Sequence, residues 1–125
     1  MRRLSLVLLL AAPSLIAVSP ATGASYVVCD NGLRCVIAPC PSTNSLDVKT
    51  RKLRKGVWVD TAGMSPNDRA EIERYNGLYD GTLVISGRFE QRTVKSAGGP
   101  QSLPFLVGDK VERKSTSREQ RLCRR

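Results

Sequence analysis

Residues 83–90 read Leu-Val-Ile-Ser-Gly-Arg-Phe-Glu, and this stretch decides the fold class. Leu83, Ile85 and Phe89 recur at every second or fourth position, which is typical of a strand with one face against a core. Gly87, inside that strand, indicates a bulge or a sharp bend of the kind found at barrel corners. The sequence therefore predicts a β protein with a bent sheet.

Five further segments around this strand carry β signals. Asn31-Gly32 lies between two β-branched runs and predicts a two-residue hairpin turn. Between Leu46 and Leu53, apolar and charged residues alternate, which indicates a half-buried strand. The further predicted strands lie at residues 25–29, 34–38, 46–53, 57–60 and 104–112. We expect residues 95–103, which include Gly98-Gly99-Pro100, to form a flexible loop.

One helix is marked at both ends. Ser65 is a favourable N-cap, Pro66 suits the first helical position, and the helix is predicted to end near Asn76. Ile72 would face inward. The predicted fold is mainly β with one short α-helix, either a small antiparallel sheet or a partly open barrel with an OB-like order of elements.

The N-terminus has the pattern of an export signal. Arg2 and Arg3 precede an apolar run at residues 4–18, which is shorter than the roughly 20 residues that cross a bilayer. We expect cleavage after Ala24, with Gly23 as the alternative, and a secreted or periplasmic product with no transmembrane segment. The predicted organisation is a signal peptide at 1–24, a β-rich domain at 25–112 and a basic tail at 113–125 that is mobile as far as its cysteine.

The charge of the chain is unevenly distributed. The formal net charge is +9, and removal of Arg2 and Arg3 with the signal peptide leaves +7. Two segments hold most of the positive charge, and their anion-binding candidates are Lys49, Arg51, Lys52, Arg54, Lys55, Arg121, Arg124 and Arg125. Such segments are typical of a site for an anionic polymer or an acidic protein. A solvated strand face with a disordered charged tail is the other interpretation, and the sequence alone favours it, because nucleic-acid recognition usually adds aromatic stacking surfaces.

The chain contains no histidine. This absence excludes histidine-based catalytic triads and every zinc site that requires imidazole. The carboxylates are scattered, and Glu71 and Glu73 would point in different directions on a helix. We therefore predict a protein that is not an enzyme, with no catalytic residues, metal or cofactor.

Cys29, Cys35, Cys40 and Cys123 predict two disulfides, because their number is even in a chain with an export signal. A turn at 31–32 would place Cys29 and Cys35 on opposite faces, which favours the pairs Cys35–Cys40 and Cys29–Cys123. A metal site with four thiolates or a redox thiol is the alternative. The spacing of Cys35 and Cys40 lies at the edge of the usual zinc spacings.

Residues 30–42 read Asp-Asn-Gly-Leu-Arg-Cys-Val-Ile-Ala-Pro-Cys-Pro-Ser. This segment resembles the D-N-G-x-R-C-x-x-x-P-C-P-S motif of a family of small exported bacterial proteins of undescribed function. The resemblance covers about residues 25–90 and implies that Cys35 and Cys40 belong together. Cys29 and Cys123 are additions to the pattern, which indicates that they pair with each other.

The leading functional hypothesis is an exported, disulfide-stabilised module that binds or builds structure without catalysis. Its basic segments would contact an anionic surface or an acidic protein partner. The second hypothesis is an inhibitor of an exported hydrolase that presents the loop at residues 37–41. The third, an enzyme with a cysteine or carboxylate centre, conflicts with the absence of histidine.

Overall fold

The computed structural model describes residues 23–125, and five strands form its central barrel. The strands are β1 (Ala24–Asp30), β2 (Thr43–Asp47), β3 (Leu53–Asp60), β4 (Gly81–Ser96) and β5 (Gly99–Lys114). The helices are α1 (Pro66–Arg74), α2 (Gly77–Asp80) and α3 (Ser117–Cys123). The predicted signal peptide lies outside the described residues, except for Gly23 and Ala24.

The strand order is β1-β2-β3-β5-β4, and pairing of β1 with β4 closes the barrel. The β3–β5 pair is parallel, and the other pairs are antiparallel. This mixed five-stranded barrel, with α1 between β3 and β4, confirms the mainly β prediction. The barrel is closed rather than partly open, and the described part of the chain contains three helices rather than one.

The predicted hairpin at Asn31-Gly32 is wrong. Residues 34–38 form no strand, and β1 pairs with β2 across the loop 31–42. Gly32 has a φ of +81°. However, its N–H donates to the side chain of Asp30, and the N–H of Leu33 donates to the side chain of Asn31. Such side-chain bonds compete with strand pairing, so the chain leaves the sheet here.

The prediction of a strand at 46–53 is wrong over most of its length, because residues 48–52 form a tight turn between β2, which ends at Asp47, and β3, which begins at Leu53. The Oδ1 atom of Asp47 accepts the N–H groups of Lys49 at 2.9 Å and Thr50 at 3.0 Å. These bonds reverse the chain, as aspartate often does in turns. Leu46 then lies opposite Leu53, so the two ends of the alternating pattern belong to paired strands.

The helix predicted after Ser65 is present as α1. The Oγ atom of Ser65 accepts the N–H of Asp68 at 3.1 Å, and Pro66 occupies the first turn. Ile72 is buried against the barrel core. The helix ends at Arg74, two residues before the predicted end.

Two regions expected to be irregular are ordered. The β4–β5 hairpin extends to the Ser96–Gly99 pair, so most of the predicted flexible loop 95–103 is strand. The tail predicted to be mobile contains the end of β5 and all of α3. Thr116 and Glu119 form a capping box at the start of α3. The prediction of a mobile tail rested on the net charge of this segment and did not consider this helix-start signal.

Apolar residues pack in two layers. Inside the barrel, Val28, Ile85 and Leu106 pack with Ile72 of α1. Outside it, α3 covers a second cluster composed of Val27, Cys29, Leu46, Val84 and Cys123. The second layer holds the C-terminal segment against β1 and β2. Within residues 23–125, no helix has the length and apolarity needed to cross a membrane.

Candidate binding surfaces

Two disulfides join the four cysteines. Cys29 in β1 is bonded to Cys123 in α3, and Cys35 is bonded to Cys40 within the loop 31–42. The hairpin used to choose this pairing from sequence is absent. The geometric reason is instead that Cys29 faces the outer layer under α3, while Cys35 lies in the loop away from it.

The first residues of the loop 31–42 are held by the carboxylate of Asp30. Its Oδ2 accepts the N–H of Gly32 at 3.0 Å, and its Oδ1 accepts Nη1 of Arg34 at 3.0 Å. The Arg34 hydrogen bond lowers the pKa of Asp30 below its ordinary value, aided by the Gly32 N–H. Nη2 of Arg34 also donates to the hydroxyl of Tyr79 at 3.2 Å, which connects the loop to α2.

Asn31 connects the two ends of the loop. Its Nδ2 donates to the carbonyl of Pro41 at 2.9 Å, and its Oδ1 accepts the N–H of Leu33 at 2.9 Å. Its backbone N–H donates to the carbonyl of Ser42 at 2.9 Å. The polar residues that carry the motif at 30–42 therefore build and fix the loop.

The tip of this loop is apolar and exposed. Val36 has a relative exposure of 103% and Ile37 of 67%, and both lie between the bonded Cys35 and Cys40. Pro41 lies at the base, near the position that a side chain on Gly56 would occupy. In the loop 37–41, which the sequence proposes as an inhibitory loop, the first residue is therefore exposed and the last residue, Pro41, lies against the barrel.

Packing of α3 brings the two basic segments together. Arg51, in the β2–β3 turn, and Arg118, in the first turn of α3, line one surface pocket. Lys55 of β3 and Arg125, just after α3, line a second pocket. The helix therefore lies alongside the β2–β3 hairpin. We define the basic face as the exposed residues Lys49, Arg51, Lys52, Lys55, Arg118, Arg121, Arg124 and Arg125.

The basic face retains its charge because the ion pairs lie elsewhere. The salt bridges join Arg34 to Asp30, Arg88 to Glu90, Arg92 to both Asp60 and Glu90, and Arg113 to Glu119. Within residues 23–125, no basic-face side chain lies within 4.0 Å of a carboxylate. Arg124 donates to a carbonyl, that of Asp80, at 2.8 Å. The face is thus a concentrated positive surface.

One predicted anion-binding residue does not join this face. Arg54 is paired with Ser45 on the side of the sheet that faces the barrel interior, and its guanidinium lies 4.3 Å from the centre of the Phe89 ring. Lys55, the next residue, points to the outside. Arg118 was missing from the candidates, although the run of basic residues in α3 could have identified it.

Comparison with known proteins places the chain in a family. Residues 9–108 match the family described as "Domain of unknown function (DUF6748)". No curated protein and no solved structure matches the chain significantly.

Proposed function

The chain belongs to the DUF6748 family, and we propose that it is an exported, non-enzymatic binding module whose basic face contacts an anionic polymer or surface. The observation that carries this proposal is the convergence of two basic segments into one face that has no ion-pair partner among residues 23–125. Such a face attracts polyanions and releases their counterions on binding. An acidic protein partner would use the same electrostatic attraction.

Two further observations support export and the absence of catalysis. Two disulfides in a chain of 125 residues are compatible with an oxidising extracellular environment. The absence of histidine removes the commonest general base from any proposed active site. The leader-like N-terminus remains the sequence argument for export.

Binding to heparin at several salt concentrations tests the basic face. The double variant Arg51→Gln/Arg118→Gln removes two charges where the turn meets α3, and we expect its affinity at low salt to fall about tenfold or more. The slope of log K against log salt concentration should become shallower by about 2, because each cation that contacts the polymer contributes about 1 to that slope. Lys95→Gln/Lys110→Gln removes the same charge from β4 and β5 and should change neither quantity by much. Salt-independent binding, or an equal loss in both variants, would reject the proposal.

The second candidate function is inhibition of an exported hydrolase by the loop 31–42. The exposure of Val36 and Ile37 favours it, since apolar side chains on a rigid, disulfide-closed loop lose little conformational freedom on binding. Val36→Ser/Ile37→Ser should abolish inhibition while leaving the melting temperature unchanged, because neither side chain packs on the barrel. A hydrolase panel in which this variant and the wild type behave identically would exclude the loop as the inhibitory element.

A further inference from the structure

A pocket of about 410 Å³ opens at the end of the barrel opposite α1. Its size lies within the range of roughly 300–1,000 Å³ that is usual for small-molecule sites. Its walls include the rings of Tyr26 and Phe89, which meet edge to face with 5.2 Å between their centres. The β2–β3 turn forms the adjacent rim, so the pocket lies beside the basic face.

Ser45 gives this pocket an unsatisfied polar group. The residue is 1% exposed and lines the pocket, and its Oγ has no hydrogen-bond partner in the described part of the chain. Buried hydroxyl groups nearly always have a partner, because leaving one unpaired is unfavourable. The Oγ atom is itself buried, so a ligand in the pocket would reach this hydroxyl only after a rotation of the Ser45 side chain.

Arg54 gives the pocket a positioned cation. Stacking on Phe89 holds its guanidinium, and no carboxylate in residues 23–125 forms an ion pair with it. The planar fork of arginine suits a carboxylate, which it binds through two parallel hydrogen bonds. Lys52 lines the same pocket and adds positive charge.

Asp47 supplies the acceptor that a simple anion site would lack. Its Oδ1 is bonded to the turn N–H groups, whereas its Oδ2 has no partner among the described residues. Burial raises the pKa of the neighbouring Tyr26 phenol, the Asp47 carboxylate raises it further, and the Arg54 cation partly offsets both effects. The pocket thus combines a carboxylate receptor, a hydroxyl acceptor and an aromatic wall.

We infer that this pocket binds an acidic sugar, a hydroxylated six-membered ring that carries one carboxylate. The carboxylate would bind Arg54, the ring hydroxyls would bind Asp47 and Ser45, and the apolar face of the ring would contact Tyr26. The inference rests on the proposed function in one respect, because it makes this ring the repeating unit of the anionic polymer. A phosphate polymer offers neither the hydroxyls nor the ring face that the pocket matches.

Titration of the oxidised protein with D-glucuronate, followed by amide NMR shifts, tests the pocket. We expect saturable shifts at Tyr26, Ser45 and Phe89, and much weaker ones with D-glucose or inorganic phosphate. Equal shifts with phosphate would reduce the site to a simple anion site and overturn the inference, as would equal shifts with glucose or no saturable shift with glucuronate.

Three variants assign the binding to the pocket. Arg54→Gln should weaken glucuronate binding about tenfold or more, whereas Arg69→Gln, in α1 at the other end of the barrel, should leave it unchanged. Ser45→Ala should weaken binding about three- to tenfold and raise the melting temperature of the free protein, because it removes an unpaired buried hydroxyl. Unchanged binding in Ser45→Ala and Arg54→Gln, with both variants folded, would overturn the inference.

A comparison of two polymers separates the inference from the proposed function. Polygalacturonate should bind more tightly than polyphosphate of equal charge, and Arg54→Gln should abolish that preference. Equal binding of both polymers, unaffected by Arg54→Gln, would reject the pocket and retain the basic face. Binding of neither polymer, with glucuronate still titrating the pocket, would reject the basic face alone.

Discussion

Glu119 contacts both the start of α3 and the end of β5. Its Oε1 accepts the N–H of Thr116 and Nη1 of Arg113, each at 2.8 Å, and its Oε2 accepts Nη2 of Arg113 at 2.9 Å. These hydrogen bonds, led by those from Arg113, lower the pKa of Glu119 to about 2. A single carboxylate thus ties the C-terminal helix to the barrel.

The Glu119–Arg113 pair predicts a pH dependence of stability. Because the folded pKa is below the ordinary value of 4.5, the stabilisation is fully present above that value and is lost as pH falls towards 2. Glu119→Gln keeps the capping box but removes the charge, and should lower the free energy of unfolding by about 1–3 kcal/mol at pH 7. Urea unfolding between pH 7 and pH 2 should show this difference shrinking in acid. A difference that stays constant across that range would contradict the assignment.

At the scale of elements, the two disulfides constrain different parts of the chain. Cys29–Cys123 joins residues 94 apart and fixes α3 over β1 and β2. Cys35–Cys40 joins residues five apart and shapes only the loop tip. The first disulfide therefore holds α3 and its basic residues beside the β2–β3 turn, and the second constrains the conformation of the loop 31–42.

We expect the two disulfides to differ in their contribution to stability. In the chain-entropy model, the long closure is worth about 4–5 kcal/mol and the short one about 2 kcal/mol. Cys29→Ala/Cys123→Ala should therefore lower the free energy of unfolding by at least twice as much as Cys35→Ala/Cys40→Ala. The first variant should also weaken heparin binding, because α3 is released. Equal losses of stability, or heparin binding that is independent of α3, would be inconsistent with this division.

At the scale of the whole molecule, barrel closure depends on a close approach of three strands at Gly87. Gly87 is paired with Ala24 of β1 and Gly108 of β5, and the register with β5 shifts between Ser86 and Gly87. A side chain here would place its Cβ 2.5 Å from the carbonyl oxygen of Val107. The bend inferred from sequence is therefore also a point of contact between strands.

Gly87→Ala should lower the free energy of unfolding by about 2 kcal/mol or more, because the backbone at Val107 must move. Gly98→Ala is the matched control, since a Cβ there meets nothing within 4 Å. Thermal and urea unfolding of both variants would measure the difference. A Gly87→Ala protein as stable as the Gly98→Ala protein would show that the three strands are not closely packed.

The sequence by itself determined the features that depend on neighbouring residues. Ser65 and Pro66 specify the start of α1 through bonds and dihedral angles within one helical turn. The period-two pattern around Gly87 specifies a bent strand, because side chains alternate whatever the strand pairs with. The mainly β class followed from such local patterns.

Only the tertiary structure decided which segments meet. The alternation from Leu46 to Leu53 fits one strand as well as two strand ends joined by a turn, and the pairing of β2 with both β1 and β3 selected the second. The segment 113–125 is too short to be a stable helix alone, so α3 depends on the burial of Cys123 and on packing. Because the basic face and the pocket beside Tyr26 and Arg54 are built from residues far apart in the chain, neither could be derived from local patterns.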